Sequence, residues 1–292
     1  MKKQNGLIMG QTEKIVPLDR ILYSLRDVTA TVDSIPLITA SIISKKFCEG
    51  IGHLVMDVKF GSGAFMQTIE QARNLAHSLK NVAQGLGVNT KCILTSMNQP
   101  LGDRAGNALE MKECVDVLKG EGPEDTTDLS LELASQMVAL VHSEPSIEEI
   151  KKSMRANITN GKAFETFISW IASQGGQTSV LESHDWAHAA IKEPFYAPEE
   201  FEGQYLKEID VRELGMAITT IGGNRFKASD KIDHEVGFSD IKKIGDQINK
   251  SEPLLVIHAN DQSKVEACKN KLKDIFSFSK NSVSDTLIQD II

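Results

Sequence analysis

The feature that most constrains the fold is a strand, helix, strand pattern between residues 53 and 96. His53 to Phe60 is a short run with β-branched and apolar residues, and Lys91 to Ser96 is a second one. Thr68-Ile69-Glu70-Gln71 has the capping-box pattern that begins a helix between them. The apolar face of that helix comprises Ile69, Ala72, Leu75, Ala76, Leu79, Val82, Ala83 and Leu86. Because strands joined through a helix are expected to be parallel, the pattern predicts an α/β layer.

Further helices are predicted before and after this segment of the sequence. Ile35 to Glu49 has helical character, with Ser34 as a possible N-cap and Gly50 as the residue that ends it. From about Gly106 to Ser173 the apolar spacing is again helical. We therefore expect an α/β fold with a partly parallel sheet and flanking helices over residues 1–195.

The spacing of apolar residues changes after Phe201. Short apolar segments at Ile218–Ile221 and Leu254–Ile257 are separated by glycine-containing stretches, and we expect a separate domain over residues 196–275. Residues 276–292 form a serine-rich and then apolar tail, for which we expect a frayed end or a short docking helix.

Composition excludes several classes of protein. The 292 residues include 40 acidic and 32 basic side chains, and the resulting net charge of -8 argues against a nucleic-acid partner, which needs clustered cations. No stretch reaches the roughly 20 apolar residues that cross a bilayer, so we expect no membrane partner and a cytoplasmic protein. The four cysteines are far apart, which supports neither a zinc site nor a disulfide framework.

Polar residues of several kinds are concentrated near the start of the chain. Arg26 opens the segment Arg26–Ser34, and Ser41 and Lys45 follow on the predicted helix. Residues four apart lie on one helical face, so Ser41 and Lys45 are expected to be neighbours. Spacing alone leaves open that Lys45 and Lys46 only form a solvated helix end. Gly61-Ser62-Gly63 could bind an anion through its backbone, but a tight turn is the preferred interpretation.

These segments resemble the thymidine phosphorylase and pyrimidine nucleoside phosphorylase family. The likeness extends from about Gly6 to about Asp261, and its further motifs are Gly10-Gln11-Thr12, Met97-Asn98-Gln99-Pro100-Leu101 and Gly106-Asn107-Ala108-Leu109-Glu110. The resemblance implies phosphorolysis of a pyrimidine nucleoside to the free base and a pentose 1-phosphate. It also implies that residues 196–275 form a small β-rich domain, a lipoyl-like sandwich.

The resemblance assigns roles to individual residues. Arg26, Ser41 and Lys45 fall on the positions that hold the base, and Arg26 and Lys45 would be catalytic. As the glycosidic bond breaks, negative charge develops on the base, and cations beside it stabilise the transition state more than the ground state. The apolar positions that pack on the base are Val32, Ile38 and Phe65, which core packing alone would also explain.

The remaining expectations concern cofactors and partners. Inorganic phosphate would be the co-substrate, so no organic cofactor is implied. Glu113 and Leu101 match part of a cation site that some family members have, but we expect no metal. The resemblance also implies a possible homodimer.

Family members carry a Lys-His-Ser-Thr-Gly-Gly phosphate loop ahead of the region that this sequence matches. We therefore expect the chain alone to be slow or inactive, because positioning of the reactants contributes on the order of 7–11 kcal/mol to such reactions. Two alternatives stay open. One is a non-catalytic homologue or a split-enzyme subunit that binds pyrimidine or a partner, and the other is a phosphoribosyltransferase that acts on an aromatic amine.

Overall fold

A computed structural model describes residues 6, 8, 16–19, 22, 31, 33–183, 185–225, 227 and 229–292 of the chain. The helices are α1 Ile35–Cys48, α2 Ile69–Gly85, α3 Asn107–Lys119, α4 Glu124–Val141, α5 Ile147–Thr159, α6 Lys162–Ser173, α7 Ser179–Ser183, α8 Val211–Ile221 and α9 Gln262–Leu272. The strands are β1 His53–Phe60, β2 Asn89–Ser96, β3 Ile191–Phe195, β4 Tyr205–Ile209, β5 Gly237–Ser239, β6 Leu255–Ala259, β7 Phe276–Ser279 and β8 Ile288–Ile291. This mixture confirms the predicted α/β class.

The described residues form two compact units that are discontinuous in sequence. The first unit combines the described residues up to Ser96 with Leu129–Arg155 and Ile288–Ile292, and the second combines Met97–Asp128 with Ala156–Leu287. The continuous domain ranges expected from the sequence, 1–195, 196–275 and 276–292, do not coincide with these units. Strand β3 precedes the expected boundary at residue 195, yet it pairs with β6 of the second unit.

The first unit is built on the predicted parallel pair. Strands β1 and β2 run parallel in a register that joins His53 to Asn89 and Phe60 to Ser96, and α2 connects them. The capping box is confirmed: Thr68 Oγ1 accepts a hydrogen bond from Gln71 N at 3.3 Å, and Gln71 Oε1 accepts one from Thr68 N at 3.2 Å. The core between the sheet and helices α1 and α2 includes Ile43, Val58, Met66, Ala76, Leu79, Cys92 and Leu94.

Helix α1 begins and ends close to the predicted residues. Ser34 occupies the N-cap position, although its side chain makes no capping hydrogen bond, and Pro36 lies in the first turn. Gly50 has a φ of 71°, and its N–H donates to Phe47 O at 3.0 Å. The left-handed glycine that ends the helical run is therefore confirmed.

The tail does not have the expected structure. Instead of a frayed end or a docking helix, residues 276–292 contribute strands β7 and β8. Strand β8 pairs antiparallel with β2, and Cys92 exchanges two backbone hydrogen bonds with Ile292, of 2.9 and 2.8 Å. A run of four residues is too short for its period to distinguish a strand from a frayed end, so the sequence did not reveal this pairing.

The second unit contains an antiparallel sheet in the order β3-β6-β5 and a two-stranded sheet of β4 and β7. Its core includes Leu206, Leu214, Phe238, Leu255, Ile257 and Leu272. Ile218–Ile221, which the family resemblance placed in a β-rich domain, lies in helix α8. The helix forms because Asp210 caps its start, through a 3.0 Å bond from Glu213 N to Asp210 Oδ1, and Gly222 ends it.

None of the helices in the described ranges combines the length and the apolar character that a bilayer crossing requires.

Candidate active site

Helix α1 positions the candidate residues by packing one face on the core of the first unit. Ile43 is buried, and Ile38 packs partly buried against the same core. The Thr39 and Ser78 hydroxyls, which lie 2.9 Å apart, connect α1 with α2. The position of α1 relative to α2 is therefore fixed by both apolar and polar contacts.

Ser41 and Lys45 lie together on α1, as the four-residue spacing predicted. Lys45 Nζ donates to Ser41 Oγ at 3.1 Å and pairs with Asp19 Oδ2 at 2.7 Å. Ser41 is buried, whereas the Lys45 side chain keeps 32% of its surface exposed. An ammonium group has three donors, so a cation held by a hydroxyl and a carboxylate can still donate to a ligand.

Lys46 has the surroundings of an ordinary helix end. Its ammonium pairs with Glu49 at 2.9 Å, and both side chains are more than 40% exposed. The bond lies within one turn of the helix and close to its carboxyl end, where cations are favourable.

The other predicted site residues are in different situations. Arg26 and Val32 lie outside the described residues. Ile38 contributes to the core, and Phe65 exposes 67% of its surface. The structure brings together Ser41 and Lys45 of the predicted set, and the roles of all six residues stay a prediction.

A second polar cluster of the first unit was missed by the sequence reasoning. Lys59 Nζ pairs with Asp57 Oδ2 at 2.7 Å and donates to Thr95 Oγ1 at 3.1 Å. Thr95 Oγ1 in turn donates to Asp57 Oδ1. The sequence did contain a signal, because all three residues lie near the carboxyl ends of the two strands predicted to be parallel, where ligands bind in open α/β sheets.

The glycine-containing segment after β1 is a tight turn, as preferred from the sequence. Gly61 has a φ of 117°, its N–H donates to Met66 O at 3.0 Å, and its carbonyl accepts from Ala64 N at 3.0 Å. Only glycine adopts this backbone conformation without strain.

In the second unit, the carboxylate of Glu113 is buried and surrounded by hydrogen-bond donors. Glu113 Oε2 accepts from the backbone N–H of Asp103 at 2.9 Å and of Arg104 at 3.1 Å, and Oε1 accepts from Thr126 Oγ1 at 3.1 Å. Burial raises the pKa of Glu113 to about 7. These bonds join the loop at Asp103 and Arg104, and helix α4, to helix α3. In the part of the chain that the structure describes, no three His, Cys, Asp or Glu side chains cluster as metal ligands would.

His258 is a buried histidine of the second unit. It lies in strand β6 and exposes only 5% of its surface, with Nε2 2.9 Å from Ser239 Oγ. Burial lowers the pKa of this imidazole.

Comparison with known proteins identifies two successive family matches along the chain. Residues 1–164 match the family described as "Glycosyl transferase family, a/b domain", and residues 205–279 match the "Pyrimidine nucleoside phosphorylase C-terminal domain". The first match covers more than half of the chain, which therefore belongs to this glycosyl transferase family.

Similar curated proteins carry the corresponding name. Pyrimidine-nucleoside phosphorylases of Staphylococcus aureus strains USA300 and NCTC 8325 are each 42% identical to this chain over 285 residues. The protein of the bovine strain RF122 is 41% identical over the same length. These alignments cover 98% of this chain and 65% of each relative.

Proposed function

We propose that this chain carries the base-binding part of an enzyme that cleaves pyrimidine nucleosides or deoxynucleosides with inorganic phosphate. The products are the free base and the pentose 1-phosphate. The observation that carries the proposal is the Ser41 and Lys45 pair on α1, in which a partly exposed cation is oriented by a buried hydroxyl and by Asp19.

The pair suits a pyrimidine because of the groups along one edge of the base. That edge presents a carbonyl, an N–H and a second carbonyl, and it needs donors for its oxygens and an acceptor for its nitrogen. Lys45 supplies a donor, and the Ser41 hydroxyl can donate or accept. When the base departs as an anion, Lys45 and Arg26 stabilise the charge that develops, which lowers the barrier more than it strengthens substrate binding.

The proposal includes the partners of the site. Phosphate acts as the nucleophile, so neither an organic cofactor nor a metal is needed, and Val32, Ile38 and Phe65 provide apolar contacts to the base. We further propose a cytoplasmic location and a homodimer, by analogy with the family. Thymidine and uridine are both candidate substrates.

The test is phosphate-dependent release of uracil from uridine, or of thymine from thymidine, by the purified chain. Release that requires phosphate and is reversed by the pentose 1-phosphate supports the proposal. Absence of release together with absence of uracil and thymine binding contradicts it.

A second candidate function is pyrimidine binding without turnover, as a non-catalytic homologue or as one subunit of a split enzyme. The Ser41 and Lys45 pair supports it as well, because holding a base needs no nucleophile beside it. Uracil binding by a chain that never releases base from uridine would favour this candidate. Phosphorolysis by the chain alone would contradict it.

A further inference from the structure

The cluster of Asp57, Lys59 and Thr95 forms a closed ring of hydrogen bonds. Asp57 and Lys59 are two residues apart in β1, so their side chains leave the same face of the sheet. Thr95 of β2 stands directly beside Lys59 in the parallel register. Thr95 is fully buried, whereas the Lys59 and Asp57 side chains are 29% and 21% exposed. The ring thus has a buried hydroxyl at its inner end and a charged pair that reaches solvent.

The bonds within the ring define what it can still bind. Lys59 uses two of its three N–H groups, on Asp57 and Thr95, and each Asp57 oxygen accepts one bond. The bonds among the described residues therefore leave one donor on Lys59 and further lone pairs on Asp57. A group that both donates and accepts, such as a sugar hydroxyl, complements this combination.

The charge of the ring disfavours an anion as its main ligand. The lysine cation and the aspartate anion cancel at 2.7 Å, so the ring offers no net positive charge to a phosphate. A neutral hydroxyl makes hydrogen bonds with both charged partners, and bonds to charged groups are stronger than neutral ones.

The position of the ring is also that of a ligand site. Lys59 and Thr95 are the penultimate residues of two parallel strands, at the carboxyl edge of the sheet. Ser41 and Lys45 belong to the same unit, on the helix that precedes β1.

We propose that the Asp57, Lys59 and Thr95 ring binds a hydroxyl group of the pentose of the nucleoside. This inference rests on the proposed function, because it assigns the sugar to one polar cluster and the base to the other. Lys59 and Asp57 contact the hydroxyl, and Thr95 is a positioning residue that holds both.

The test compares binding of uridine, uracil and ribose 1-phosphate by calorimetry. Thr95→Val keeps the volume of the side chain and removes its hydroxyl, and Lys59→Met removes the cation. Thr90→Val is the matched control, because Thr90 is a buried threonine of the same strand whose Oγ1 bonds Val88 O at 3.1 Å, away from the ring. We expect Thr95→Val and Lys59→Met to weaken uridine binding by about tenfold, the value of one hydrogen bond, with uracil binding unchanged. Thr90→Val should change neither affinity.

The outcomes separate the ring from the base site. Equal weakening of uridine and uracil by Thr95→Val, or no change in either, overturns the ring proposal. If the unmodified chain binds no uracil, the base assignment fails by itself, and ribose 1-phosphate then decides. Thr95→Val should bind ribose 1-phosphate more weakly than the unmodified chain does. Equal binding by the two chains, or no binding by the unmodified chain, overturns the ring proposal as well.

Discussion

At the scale of single residues, Lys45 and Lys46 show how neighbouring side chains of one type acquire different roles. Lys45 is oriented by Ser41 and Asp19, whereas Lys46 pairs with Glu49 at the exposed helix end. We expect Lys45→Ala to weaken uracil binding by about tenfold or more, since bonds to charged groups contribute roughly 1.5–3 kcal/mol. Lys46→Ala should leave the affinity unchanged, as measured by calorimetry.

Both substitutions should change the free energy of unfolding by less than about 1 kcal/mol, because partly exposed ion pairs contribute little. Equal uracil affinities of Lys45→Ala and the unmodified chain would contradict the assignment of Lys45. A large loss of stability in Lys45→Ala would instead indicate a structural role for its pair with Asp19.

His258 leads to a prediction about pH. Its pKa lies below the unfolded value of about 6.5 mainly because it is buried, so the unfolded chain binds a proton that the folded chain resists. The contribution of His258 to stability is therefore complete above pH 6.5 and decreases as the pH falls below it. Charged side chains also act on the His258 imidazole: Lys192, Arg104 and Lys112 lower its pKa, and Asp240 raises it.

Urea unfolding between pH 7.5 and pH 5 measures this effect. His258→Gln should lose less stability across this range than the unmodified chain, because it cannot take up the proton. His188→Gln is the control, since His188 is exposed and bonds Asp185 at 2.8 Å. Identical pH profiles of His258→Gln and the unmodified chain would exclude His258 as the source.

At the scale of elements, the start of α2 depends on a single hydroxyl. Thr68 Oγ1 satisfies the N–H of Gln71 in the first turn. We expect Thr68→Ala to reduce the free energy of unfolding by about 1 kcal/mol, whereas Thr68→Ser keeps the hydroxyl and most of the stability. Urea unfolding monitored by circular dichroism checks both values, and equal losses in the two variants would show that the bond is not what matters.

The sequence predicted elements whose signals are local. The crossover helix α2 has its own cap and a continuous apolar face, and the Ser41 and Lys45 pair follows from helical spacing alone. Partners that come from distant segments were not predictable: Asp19 beside Lys45, Thr95 beside Lys59, and strand β8 beside β2. Helix α8 was missed because its last four residues are β-branched or apolar, and its 3.6-residue period is visible only from Val211 onward.

At the scale of the whole molecule, each unit has a fully buried cysteine in its core, whose labelling can show when that core opens. Cys92 lies in the core of the first unit and Cys268 in that of the second, and both are fully buried. Burial raises the pKa of Cys92 to about 11 and that of Cys268 to about 12, so little thiolate exists at neutral pH.

We expect a thiol reagent to label the exposed Cys48 quickly in the native protein and to label Cys92 and Cys268 only when urea unfolds their cores. Peptide mass spectrometry across a urea series would measure each position separately. Labelling of Cys92 in native buffer at the rate of Cys48 would show that the first core opens without denaturant.

The pairing of β2 with β8 has a consequence for synthesis on the ribosome. The residues of β8 are translated after the whole of the second unit, so the outer edge of β2 emerges long before its natural neighbour. Until then the nascent polypeptide displays unpaired backbone amides and carbonyls that could attract a foreign strand. The first unit is thus completed only after the residues of the second unit have been translated.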